Sequence, residues 1–280
     1  MSRPKMILVR ARRNPFSGRA IQPPHAPNGR TTIFNVNPIW EERIKRATAL
    51  GLAWPFAAET LRFYRALTSF QRDVHHRIAT APEKVDPAML ARFVPDFIAM
   101  IEATAPDQID ALAQRLKDKQ DDEWEELLRT AWRGPSTRSA FIDSPFAFFT
   151  KSLLQPYALH LADLWRAEVG AFDATETVCP FCGRAPQVIS VCGEKRDFIC
   201  SLCSTAWAAH RPQCPRCREA RPDRLAHDTV ADIPWMRLES CESCGHHIKA
   251  VDVGLAPDAV PVVDDIAALP LEKLARHPRK

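Results

Sequence analysis

The chain has 280 residues, 46% of them hydrophobic and 26% charged, which is enough apolar material for a sizeable core and excludes a collagenous, mucin-like or wholly disordered protein. The formal net charge is only +4, and all 9 cysteines fall between Cys179 and Cys244 of a long chain, which excludes a small disulfide scaffold. No apolar run approaches the roughly 18 residues of a spanning helix, and Arg10, Arg12 and Arg13 follow Met6–Val9 too closely for a secretory signal. The expectation is a cytoplasmic protein without membrane insertion, where clustered thiols are metal ligands rather than disulfides.

Residues 1–37 hold seven basic side chains and no acid, and read as a basic arm draped over the domain. Residues 38–172 read as a helical domain. Ile39, Ile44, Ala47 and Leu50 recur at helical spacing after Asn37-Pro38. Beyond Pro55, a second stripe runs through Leu61, Tyr64, Leu67, Phe70, Val74 and Ile78. Leu90, Phe93, Phe97, Ile98 and Ile101 form a third, which Pro95 kinks or splits. Ile109, Leu112 and Leu116 follow Pro106-Asp107, and Trp124, Leu127, Leu128, Ala131 and Trp132 precede Gly134-Pro135. The last helices hold Phe146, Phe149, Leu153 and Leu154, then Tyr157, Leu161, Leu164 and Trp165.

This half carries no catalytic constellation. His75, His76 and His160 have no companions that would make them ligands and read as ordinary helix histidines. The acidic cluster around Asp121–Glu126 complements a helix dipole and solvates one face.

Four C-x-x-C pairs follow in order: Cys179/Cys182, Cys200/Cys203, Cys214/Cys217 and Cys241/Cys244. Such a turn points two thiolates at one centre, and two turns close a tetrahedral site. Cys179-Pro180-Phe181-Cys182 and Cys214-Pro215-Arg216-Cys217 open two similar modules, which pairs the knuckles by order: the first with the second, the third with the fourth. Crossed pairing is the second choice. The expected fold is therefore α+β: the helical domain, a first four-Cys module over residues 173–211, a second over residues 212–256, and a C-terminal tail over residues 257–280. Gln187–Val191, Asp197–Ile199, Trp235–Leu238 and Ile248–Val253 supply short strands too small to fold without metal. Trp207, Trp235 and Met236 lie between ligand pairs and read as hairpin core.

Eight cysteines in this pattern call for two metal ions, zinc or rubredoxin-type iron, between which spacing does not choose. Four thiolates leave no open coordination position, so hydrolytic metal catalysis and an enzyme are not expected. Cys192 is left over as a loop thiol, and His246 and His247 follow a site that is already complete. Residues 179–253 hold ten Lys/Arg against nine Asp/Glu, and each divalent four-thiolate centre adds about −2, so the modules lack the positive excess of a nucleic-acid surface.

These motifs resemble the FdhE family of formate dehydrogenase accessory proteins. The resemblance rests on Cys179-Pro180-Phe181-Cys182-Gly183, on Cys200-Ser201-Leu202-Cys203-Ser204-Thr205-Ala206-Trp207, and on Cys214-Pro215-Arg216-Cys217. It extends to Cys241–Asp252, Leu153-Leu154-Gln155-Pro156-Tyr157 and the tail Pro261–Leu271, over roughly residues 38–275. Cys192 departs from the pattern, standing where the family suggests a small residue. The resemblance implies a cytoplasmic, non-catalytic maturation factor that acts on the catalytic subunit of a respiratory, molybdenum- or tungsten-dependent formate dehydrogenase before folded export. It further implies rubredoxin-like modules associated with iron and held by the eight paired cysteines. An iron-centre redox carrier is the alternative, a zinc-ribbon nucleic-acid binder ranks third, and a homo-oligomer is compatible with the sequence.

Overall fold

The computed structural model describes residues 38–81, 86–134, 147–166, 176–209, 212–230 and 233–269. The basic arm, Phe146 and residues 270–280 of the tail lie outside them. Helix α1 (Ile39–Ala53) starts behind Pro38 with Glu41 and Glu42 in its first turn, where carboxylates complement the helix dipole. A 3-10 turn, Pro55–Ala57, leads into α2 (Ala58–Ala79), which buries Leu61, Phe63, Leu67, Val74 and Ile78 along one stripe.

Pro95 splits the third apolar stretch. Pro87–Phe93 forms a 3-10 helix whose start is capped by the Asp86 carboxylate, which accepts from Ala88 N at 2.8 Å. Helix α3 (Val94–Thr104) then carries Pro95 in its first turn, where the missing N–H has no helical partner to lose. Helices α4 (Asp107–Gln114) and α5 (Asp121–Arg133) follow; a capping box between Gln120 and Glu123 opens α5, and Gly134, at φ 64°, ends it.

Where the sequence suggests separate last helices, α6 (Ala147–Arg166) runs unbroken through Pro156. Proline offers no N–H to the Ser152 carbonyl four residues back. Gln71 of α2 donates its side-chain amide to that carbonyl at 2.8 Å, so the interior proline leaves no unpaired acceptor there.

The strands are β1 (Pro186–Cys192), β2 (Lys195–Cys200), β3 (Ala206–Ala208), β4 (Leu225–Val230), β5 (Ile233–Cys241) and β6 (His247–Asp252). They form one sheet in the order β3-β2-β1-β6-β5-β4. Each four-Cys module contributes three strands, and the parallel pairing of β1 with β6 fuses the modules, with Ile189 opposite Ala250 and Ser190 opposite Val251.

The strand period of two sends these central strands' side chains to opposite faces. Ile189, Val191, Ile248 and Ala250 join the core of the helical bundle, packed with Phe97, Phe149, Leu153 and Leu161. Val188 and Val251 join a second core with Leu50, Leu61, Val262 and Val263. The latter two belong to α7 (Pro261–Ala267), a helix formed by the segment expected as a tail. Both faces of the sheet's centre are thereby covered, as parallel strands require.

Candidate metal centres

All four knuckles share one backbone solution. The residue after the second cysteine has a positive φ in each: Gly183 (71°), Ser204 (56°), Arg218 (64°) and Gly245 (68°). The first cysteine's N–H donates to the carbonyl five residues on, at 2.8 Å from Cys179 to Arg184, 2.9 Å from Cys200 to Thr205, 2.8 Å from Cys214 to Glu219 and 2.9 Å from Cys241 to His246. This turn aims both sulfurs to one side. It also turns backbone N–H groups onto them: Leu202 N lies 3.4 Å from Cys200 Sγ, and Cys214, Cys217 and Cys244 are bonded by the N–H groups of Arg216 and Cys217, of Glu219, and of His246. Such donors stabilise thiolates.

The structure draws the eight paired cysteines into two groups, Cys179/Cys182/Cys200/Cys203 and Cys214/Cys217/Cys241/Cys244, the pairing by order. Within each group the sulfurs lie within 4.8 Å of one another. In the first, Cys179 is 3.5 Å from Cys203, and Cys182 is 3.3 Å from Cys200 and 3.6 Å from Cys203. In the second, Cys214–Cys244 and Cys217–Cys241 are each 3.6 Å apart. A tetrahedron with metal–sulfur bonds of about 2.3 Å has edges of about 3.8 Å. The donor sets therefore fit a tetrahedral thiophilic cation, and each group could hold one metal ion.

The acidities point the same way. Hydrogen bonds with Cys179, Cys200 and Cys203, with burial added, hold the Cys182 thiol well above its ordinary range. Burial also pushes Cys203 up, but its hydrogen bonds with Cys179, Cys182, Cys200 and Thr205 outweigh it and hold that thiol well below. In the second group burial pushes Cys214 up to about 12, whereas the Glu219 N–H holds Cys217 down. Sulfurs this close cannot all ionise against their mutual repulsion; a divalent cation at their centre removes that conflict.

The remaining candidates fall elsewhere. Cys192 is exposed at the end of β1, in neither group. His246 and His247 line a cleft of about 240 Å³ with Arg216, Gln187, Lys249 and Asp265, and His247 Nδ1 lies 3.0 Å from Ser240 Oγ. Trp207 and Met236 are buried; Trp207 Nε1 donates to the Glu176 carbonyl at 3.0 Å. Trp235 instead stacks on Trp54 with ring centroids 6.0 Å apart.

Sequence reasoning missed Arg43 of α1. It is 1% exposed and donates to Ser204 Oγ, beside the ligand-group residue Cys203, at 2.6 Å. No local pattern marks it, because it is a single charged residue in an amphipathic helix.

Comparison with known proteins adds three findings. No family model matches the chain. A "Protein FdhE homolog" of Aquifex aeolicus (strain VF5) is 29% identical over 140 residues, covering 48% of this chain and 49% of that one. Another from Stutzerimonas stutzeri (strain A1501) is 32% identical over 131 residues, 45% of this chain and 40% of that one. The crystal structure of the FdhE protein from Pseudomonas aeruginosa superposes with a TM-score of 0.64 at 22% identity, covering 85% of this chain and 90% of that one. The chain is similar to FdhE proteins in sequence over about half its length, and in fold. It spans about half the length of the curated FdhE relatives it matches. The fold it shares with that crystal structure is α+β, and its two zinc-ribbon-like modules carry the two four-Cys groups. No described helix is long and apolar enough to cross a membrane.

Proposed function

We propose that the chain is a formate dehydrogenase accessory protein: a cytoplasmic, non-catalytic maturation factor that engages the catalytic subunit of a respiratory formate dehydrogenase. The observation that carries this reading is the coincidence of FdhE sequence similarity and FdhE fold with two complete four-thiolate groups. Cys179, Cys182, Cys200 and Cys203 would hold one ion, and Cys214, Cys217, Cys241 and Cys244 the other. Bound metal would supply structural cross-linking and, if iron, one-electron chemistry. The chain's own residues set the knuckle turns, turn N–H groups onto the sulfurs and bury the first centre against the helices.

Deletion of the gene tests the proposal. Formate dehydrogenase activity is expected to vanish while the catalytic polypeptide is still made, and co-purification of that polypeptide with tagged protein is expected in the complemented strain. Normal activity in the deletion strain would refute the reading. The exposure of Cys217 favours a redox carrier as the second reading, since electron transfer needs a centre near solvent. That alternative requires a reversible visible absorption change when the native protein is reduced.

A further inference from the structure

The two centres have different surroundings. Cys179, Cys200 and Cys203 are each at most 1% exposed and belong to the same apolar core as Phe149, Leu153, Phe181 and Phe198. The second group belongs to neither apolar core; Cys217 is exposed and Cys244 half-buried. The first group meets solvent at half-buried Cys182, which packs against the helical core, whereas the second group, with Cys214 and Cys241 buried, opens at both Cys217 and Cys244 and is the easier to reach from solvent.

Charge sharpens the contrast. A divalent ion in four thiolates leaves a centre near −2, which is costly to bury without a counter-charge. Arg43 presents the complementary problem: a buried guanidinium that forms no ion pair among the described residues, lies over Trp40 with its charge 5.3 Å from the ring, and leaves Nε unbonded. Its one hydrogen-bond acceptor among the described residues, Ser204 Oγ, is adjacent in sequence to Cys203. Lys151 of α6 lies within electrostatic reach of Cys200. Arg184, which follows the first knuckle, bonds the Ala131 and Trp132 carbonyls at the end of α5. The helical domain thus brings positive charge to the first group from two sides, Lys151 within electrostatic reach of Cys200 and Arg43 through its bond to Ser204 next to Cys203.

We propose that the second four-thiolate centre is the exchangeable one, giving its ion to and taking it from solution, and that the first is locked by the helical domain with Arg43 as its counter-charge. This rests on the reading that each group holds one divalent ion, and it separates the two centres by role. On exchange the ion leaves as a dication to an external chelator, and the freed thiolates take protons from water.

The test uses the full chain loaded with zinc alone and challenged with 4-(2-pyridylazo)resorcinol. Two release phases of one ion each are expected, the fast one at least about tenfold quicker. Cys244→Ser should remove the fast phase and leave the slow one. Arg43→Gln should quicken the slow phase about tenfold without touching the fast one, and Arg43→Lys should restore it. If Arg43→Gln does not fold, Ser204→Ala, which removes only the anchor, should quicken the slow phase in the same direction. A single phase releasing both ions, or a fast phase that survives Cys244→Ser, overturns the assignment of the exchangeable centre. A slow phase indifferent to both Arg43→Gln and Ser204→Ala overturns the counter-charge. A load below two ions per chain, measured before the chelator is added, overturns the two-metal reading itself and the inference with it.

Discussion

The Gln71 side chain on α2 donates to the Ser152 carbonyl on α6, the acceptor left over by Pro156. Gln71 is 1% exposed and its amide is also 3.0 Å from Gln155 Oε1. Gln71→Leu should therefore destabilise the fold by about 1–3 kcal/mol, the cost of an unpaired buried acceptor. In a Pro156→Ala background the helix regains its own N–H, and the same change should cost less. A double-mutant cycle on thermal midpoints measures the difference; equal costs in both backgrounds would refute the substitution of one donor for the other.

Asp264 fastens α7 to the rest of the molecule. Its carboxylate is fully buried and receives Arg46 of α1 at 2.5 and 3.0 Å, Trp235 Nε1 of β5 at 3.2 Å and its own cap N–H, Val260, at 2.9 Å. Asp264→Ala strands Arg46, and a loss of about 3–5 kcal/mol is expected in urea unfolding. Replacing both partners with apolar residues, Arg46→Met with Asp264→Leu, should recover part of it.

The positive-φ positions allow a cleaner measurement. A Cβ added at Gly245 meets nothing within 4 Å, so Gly245→Ala should cost only the backbone preference, about 1–2 kcal/mol. Arg218 already bears that cost and, among the described residues, has only an exposed ion pair to Glu176 in return, so Arg218→Gly should be neutral or stabilising by up to about 1 kcal/mol. Thermal midpoints of the metal-loaded variants check both signs.

Acid should act through His75. Burial, then the charge of His160, lowers its pKa to about 4; His76 adds to the shift and Asp163 opposes it. It faces Trp40 of α1, with ring centroids 5.9 Å apart, and its Nε2 is buried without a hydrogen bond among the described residues. The unfolded imidazole titrates near 6.5. The unfolded state therefore binds the proton first, and stability falls as pH drops from about 6.5 to about 4, by about 3 kcal/mol for this one site. His75→Phe should flatten the slope of stability against pH in that window; an unchanged slope would contradict the assignment.

The knuckles were legible because they are local: four residues fix each turn, and the repeated C-P-x-C opening orders the four of them. The helical stripes were legible for the same reason. The continuity of α6 was not, since it depends on Gln71, 81 residues away in sequence. The parallel β1–β6 pairing was also hidden, because both strands read as small hairpins and nothing in either specifies the other. The helix at Pro261–Ala267 gains its reason from the sheet face it covers, and Arg43 gains its meaning from Ser204.

Elemental analysis of the purified native chain tests the central claim most directly. Two ions per chain, falling to one in Cys244→Ser, are the predicted result. One ion or none in the native chain would contradict the paired four-thiolate centres on which the account stands.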